Sequence, residues 1–166
     1  SRAKREGGVM IGDEEMWEAL RRAGLDDKVR SMGEGDKAGL DADVSEGGSN
    51  LSAGERQLLC MARALLRQRP VLLMDEATAS VDYESDARIQ QMVRRDFAGQ
   101  CTVIAIAHRL HTVAFFDRIM VLSGGEALEE GKPEALLMQE GGTLRALAEE
   151  SGDFEGLLRV ARGGEA

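Results

Sequence analysis

The chain has 166 residues, enough for one domain or one and a fraction, with a modest core. Hydrophobic residues make up 43% but aromatics only 4%, so the core must be aliphatic; the formal net charge of -9 argues against a surface that grips nucleic acid or anionic lipid nonspecifically. No apolar run is long enough to cross a bilayer, and no secretory signal opens the sequence.

Residues 1–13 are polar, with Arg2, Lys4 and Arg5, and read as a loose tail or a severed connection. The chain starts at Ser1 rather than Met, which permits processing and fits a piece of a longer polypeptide. From Glu14, the spacing of Met16, Trp17, Leu20 and Leu25 predicts a short amphipathic helix broken near Gly24, with another turn over Asp26 to Arg30. The stretch Gly33 to Asn50, rich in Gly, Asp, Glu and Ser, reads as loop. Ser52 then has the character of a helix N-cap, with Glu55 completing a capping box. Leu58, Leu59, Ala62, Leu65 and Leu66 supply the apolar stripe of that helix, and Pro70 stops it.

Val71 to Met74 is a continuous apolar run, as expected for a strand covered on both faces. Ile89, Met92, Val93 and Phe97 mark a helix within Glu84 to Phe97. Thr102 to Ala107 and Arg118 to Leu122 read as two more strands, and Gly124-Gly125 turns the latter toward a strand near Ala127-Leu128. Helices follow at Pro133 to Gln139, Thr143 to Glu150 and Phe154 to Arg162. Strands alternating with helices predict a parallel α/β sheet. Cys60 and Cys101 sit in apolar surroundings without metal-ligand spacing, which predicts two reduced, buried thiols in a cytosolic protein. His111 has no placement that suggests chemistry and reads as surface.

Three segments carry possible phosphate chemistry. A helix beginning at Ser52 offers unpaired N–H groups and a partial positive charge, and Gly54 lets a phosphate approach the backbone closely. Alone, such a helix reads as an ordinary capped amphipathic segment. The run Val71 to Met74 carries Asp75 to the carboxyl end of a strand, where α/β sheets bind ligands and a carboxylate can hold Mg²⁺. Its neighbour Glu76 is placed to orient or deprotonate an attacking water; the plainer alternative is a strand ending in two solvated acids. His108 closes another apolar run and should emerge at the same sheet edge as Asp75, where it can hydrogen-bond a phosphate oxygen; in isolation it reads as a lone histidine at a strand end. No Gly-x-x-x-x-Gly-Lys-Ser/Thr loop occurs in the sequence; Gly131-Lys132 runs into Pro133 and lacks the first glycine.

Together and in this order, the segments resemble the ATP-binding cassette family of ATPases. Leu51-Ser52-Ala53-Gly54-Glu55 is similar to the family's signature motif, usually Leu-Ser-Gly-Gly-Gln. Val71-Leu72-Leu73-Met74-Asp75 resembles the Walker B strand with Glu76 as the catalytic carboxylate, Ser80-Val81-Asp82 the D-loop, and His108 the switch histidine. The wider wording resembles the C subfamily, the multidrug-resistance-associated exporters, and within it the second nucleotide-binding domain. It includes Gln57-Leu58-Leu59-Cys60, Ala62-Arg63-Ala64-Leu65-Leu66 and Ile106-Ala107-His108-Arg109-Leu110. The likeness covers roughly Glu14 to Leu137.

The resemblance implies an α/β fold: part of a P-loop NTPase (RecA-like) core with parallel strands, joined to the signature-bearing helical subdomain and lacking the Walker A half. The helical subdomain is expected over 14–66, the C-terminal part of the ATPase core over 67–150, and a partly helical tail over 151–166. ATP and Mg²⁺ are the implied cofactors. Two cassettes would sandwich ATP, with Ser52, Gly54 and Glu55 at the phosphate of a nucleotide held mainly by the partner. Asp75 would serve Mg²⁺, Glu76 and His108 would be catalytic, and Asp82 would couple the two sites. The implied partners are the other nucleotide-binding domain and the transmembrane domains, with no nucleic acid and no direct membrane insertion by this segment. The expected setting is the cytosolic face of a membrane, with the segment itself soluble.

Two departures stand out. Ala53 and Glu55 replace the usual Gly and Gln, and Glu55 brings negative charge toward a phosphate. The Walker A loop, glutamine loop, adenine-stacking aromatic and the central strand before the phosphate loop are absent, so the isolated chain is expected to be inactive as an ATPase. The alternative reading is a catalytically incompetent remnant or an interaction module that donates a signature face. A cassette ATPase of chromosome maintenance fits less well, because the segment before the signature is a short helix and a Gly-rich loop rather than heptads.

Overall fold

The computed structural model describes residues 10–75, 81–107 and 109–164. They fall into two compact units that divide between Ile106 and Ala107.

The first unit opens with α1 (Asp13–Arg22), acidic in its first turn and basic in its last, as the helix dipole favours. Glu15 closes back on the amide of Gly12, which donates to its Oε2 at 3.1 Å. Gly24 turns the chain in the left-handed region (φ 65°), and α2 (Asp26–Arg30) follows. Three 3₁₀ turns, Gly35–Lys37, Gly39–Asp41 and Glu46–Gly48, occupy the stretch read as loop. Asn50 ties that loop together: its Oδ1 accepts from the Ser45 amide and its Nδ2 donates to the Asp43 carbonyl, both at 3.1 Å.

Helix α3 (Ala53–Arg67) then runs for 15 residues, turning Gly54, Leu58, Met61 and Ala62 inward. It ends before Pro70, in a left-handed C-cap at Gln68 (φ 47°). Strand β1 (Val71–Asp75) pairs in parallel with β2 (Thr102–Ile106), in register from Val71 opposite Thr102 to Asp75 opposite Ile106. Between them α4 (Tyr83–Met92) continues into a wider π turn at Val93–Phe97, where the sequence predicts one uninterrupted helix. The core gathers Ile11, Ala19, Leu20, Leu25, Leu58, Met61, Ile89, Met92 and Phe97, all buried. Burying each of the Leu, Ile, Met and Phe side chains contributes about 1.5–3 kcal/mol.

Two expectations are corrected here. The β1–β2 pair is not covered on both faces: Val71, Leu73, Ile104 and Ile106 are 48, 72, 53 and 59% exposed, whereas Met74 on the opposite face is buried. The apolar run is written for two faces, and the described residues cover one. Nor are both thiols buried. Cys60 is exposed because it lies two positions, about 200° of helix rotation, from the inward Leu58. Cys101 is half-buried, and burial pushes its thiol up, away from the thiolate.

The second unit holds α5 (Leu110–Val113), the hairpin β3 (Ile119–Ser123) and β4 (Glu126–Gly131), then α6 (Pro133–Met138), α7 (Thr143–Glu150) and α8 (Phe154–Ala161). Ser123 pairs with Glu126 across Gly124-Gly125, whose positive φ values of 59° and 85° suit a two-residue hairpin turn. This pair is antiparallel, so the parallel expectation holds for β1–β2 and not here. Leu136, Leu137, Leu144, Ala148, Leu157 and Val160 close a separate aliphatic core, with Leu110 and Ile119 packed against it. No helix among the described residues is long and apolar enough to cross a membrane.

Helix α7 has a glycine N-cap, Gly142, with no side chain to cap it. Glu129 of β4 takes that role, accepting from the amides of Thr143 and Leu144, the latter at 3.0 Å. The Leu144 amide, seconded by that of Thr143, holds its carboxyl below the usual Glu range. A depressed folded pKa stabilises above the unfolded value and is lost as pH falls through the folded one. Glu129→Ala is therefore expected to cost about 1 kcal/mol at pH 7, and less as the pH is lowered below 4. Denaturant unfolding of both forms at the two pH values checks this.

Candidate functional site

The start of α3 at Ser52 is built by a reciprocal cap. Ser52 Oγ accepts from the Glu55 amide at 3.1 Å, and the Ser52 amide donates to Glu55 Oε2 at 2.7 Å, as the capping box predicts. Arg56, which follows it, donates from Nη1 to the Leu51 carbonyl at 2.8 Å and so fastens the preceding loop to α3. The Ser52 amide lowers the Glu55 pKa most, and Lys28 adds to this.

Asp82 is the N-cap of α4, accepting from the Ser85 amide at 3.0 Å and from Ser85 Oγ at 2.8 Å. The Ser85 amide is the main reason its carboxyl titrates below the ordinary Asp range. The two caps meet. A Cβ built on Gly54 would lie 2.2 Å from Ser85 Oγ, 2.7 Å from Ser85 Cβ and 2.8 Å from Asp82 Oδ2. Thus the missing side chain of Gly54 makes room for the cap of α4, a packing reason that the sequence reading, concerned with phosphate approach, does not contain.

Asp75 ends β1, exposed, at the carboxyl edge of the parallel pair and opposite Ile106. Glu76 and His108 lie outside the described residues. His111, read as surface, is exposed and stands 3.3 Å from Asp153. An open groove of about 1060 Å³ lies elsewhere in the first unit, lined by Glu18, Cys60, Arg63, Arg67, Val71 and Phe97, at the amino end of β1 rather than at the Asp75 edge.

Two participants carry no sequence signal. Ser85 acts through a contact between helix starts, and Lys28 reaches Glu55 at 3.2 Å from α2, a pairing that neither spacing nor periodicity encodes.

Comparison with known proteins bears on the family of the chain. The family model described as "ABC transporter" matches residues 5–79. The chain is 51% identical over 140 residues to "ATP-binding cassette sub-family C member 2" of Rattus norvegicus, covering 84% of this chain and 9% of that protein. The protein of that name from Homo sapiens is 50% identical over 140 residues, with the same coverage. "ATP-dependent bile acid permease" of Saccharomyces cerevisiae is 46% identical over 123 residues, 74% of this chain and 7% of that protein. The chain thus spans less than a tenth of the length of these relatives. On the family model and this identity over most of its length, the chain belongs to the ATP-binding cassette transporter family, in its C subfamily, and falls within the ATP-binding domain.

Proposed function

We propose that this chain is the C-terminal part of the second nucleotide-binding domain of an exporter, in which ATP hydrolysis drives solute transport across a membrane. The observation that carries the reading is the meeting of the two caps, Ser52–Glu55 on α3 and Asp82–Ser85 on α4, across Gly54. Two motifs distant in the chain thereby share one surface, as a nucleotide sandwich between two cassettes requires.

In this reading Ser52, with the backbone at Gly54 and Glu55, faces the γ-phosphate of a nucleotide gripped by the other cassette, and Asp82 couples the two sites. Glu76 is the general base for the attacking water, and His108 binds the γ-phosphate of this domain's own nucleotide. Asp75 fits Mg²⁺ as an exposed carboxylate at the carboxyl edge of the parallel pair, since this ion commonly takes one or two carboxylates with waters and substrate phosphates. When bound, it neutralises charge on the phosphate oxygens. The helical subdomain spans 14–66 and the core portion 67–150, with the remaining cassette, the other nucleotide-binding domain and the transmembrane domains as partners at the cytosolic membrane face. The exposed apolar face of Val71, Leu73, Ile104 and Ile106 supports this, because a patch of that kind marks an interface.

The isolated chain tests the division of labour. Titrated with Mg-ATP, it is expected to bind with a Kd weaker than about 1 mM, because nothing in its sequence forms the phosphate loop. Tight binding would show that the nucleotide pocket is complete in these 166 residues and would refute the partial-domain reading.

A further inference from the structure

Glu55 stands where a neutral glutamine is usual in the family the chain resembles, in the first turn of a helix proposed to face phosphate. A full negative charge there opposes the helix dipole's partial positive charge as seen by an anion. The structure gives both carboxylate oxygens a partner. Oε2 accepts from the Ser52 amide at 2.7 Å, and Oε1 lies 3.2 Å from Lys28 Nζ. Lys28 comes from a separate element, α2, whose C-cap Ser31 donates from Oγ to the Lys28 carbonyl at 2.7 Å. Both members of the pair are half-buried, so the interaction is only partly screened by water.

We infer that Lys28 is a positioning residue for the signature helix: it neutralises Glu55 and holds that carboxylate on the Ser52 amide, so that the amino end of α3 meets a phosphate with little net negative charge. The inference rests on the function proposed above. It adds that the pair Lys28 and Glu55 does jointly what one uncharged side chain would do alone. Arg56, the cation adjacent to Glu55 in sequence, donates to the Leu51 carbonyl instead.

The test is a cycle in the full-length transporter that carries this segment, with ATPase rate measured against Mg-ATP concentration. Lys28→Met is expected to raise the concentration for half-maximal rate by about 2- to 5-fold at low ionic strength, with kcat nearly unchanged. The increase should shrink with added salt and disappear in Lys28→Arg. In the Glu55→Gln background, Lys28→Met should produce no increase at all, because the charge it balances is gone. An equal increase in that background, or none in the single variant at low salt, overturns the inference. Thermal unfolding of each variant separates a general loss of stability from the charge effect. The broader reading is judged separately by Ser52→Ala and Glu76→Gln: normal ATPase in both would sink it, whatever Lys28 does.

Discussion

Glu76→Gln is expected to reduce steady-state ATP hydrolysis by the full-length transporter by about 100-fold or more, while leaving nucleotide binding intact. A general base contributes about 10²–10⁴-fold, and the amide keeps the size and hydrogen-bonding capacity of the side chain but not its ability to take a proton. Glu76 follows directly on Asp75, which the fold sets at the carboxyl edge of the parallel strand pair. Loss of the base should therefore trap ATP, so the variant should retain unhydrolysed nucleotide after washing, when the parent retains little. A Glu76→Gln protein that hydrolyses within a few-fold of the parent would remove the carboxylate from the chemistry.

The second large effect is expected at Gly54. In Gly54→Ala the new methyl would sit 2.2 Å from Ser85 Oγ and 2.7 Å from Ser85 Cβ, closer than real side chains approach. The oxygen can rotate away, but the Cβ is fixed to the backbone of α4, so the two helix starts must separate. Overpacking of this kind costs about 1–3 kcal/mol, a loss of several degrees in Tm for a protein of this size. Because the displaced groups include the Asp82 cap, ATPase activity should fall with stability. Ser85→Gly in the same chain vacates most of the contested space and should recover much of the Tm. Failure of that second change to help would mean that crowding is not what Gly54 relieves.

Much of the fold was legible in the sequence because local rules govern most of its elements. Ser52 and Glu55 announce a capped helix, Gly124-Gly125 a hairpin, and Pro133 a helix start, and each forms as read. What escaped were facts set by elements distant in the chain. The role of Gly54 depends on Ser85, the ion pair at Glu55 depends on Lys28, and the N-terminus of α7 depends on Glu129 from a strand. The exposure of Leu73 and Cys60 went unread for a related reason: apolar character shows what a residue can bury against, not which neighbour is present. For the candidate site, residue types and order pointed to phosphate chemistry, and the geometry added which caps touch.

The most direct measurement is disulfide trapping across the proposed sandwich. Ser52→Cys, in a full-length transporter whose exposed Cys60 is replaced by Ser, is paired with a cysteine in the phosphate-binding loop of the other cassette. Cross-linking should appear on adding ATP to the Glu76→Gln protein and be absent without nucleotide. If the two positions never cross-link in the ATP-trapped state, while each cysteine still reacts with a small thiol reagent, the segment does not close on a nucleotide held by another domain.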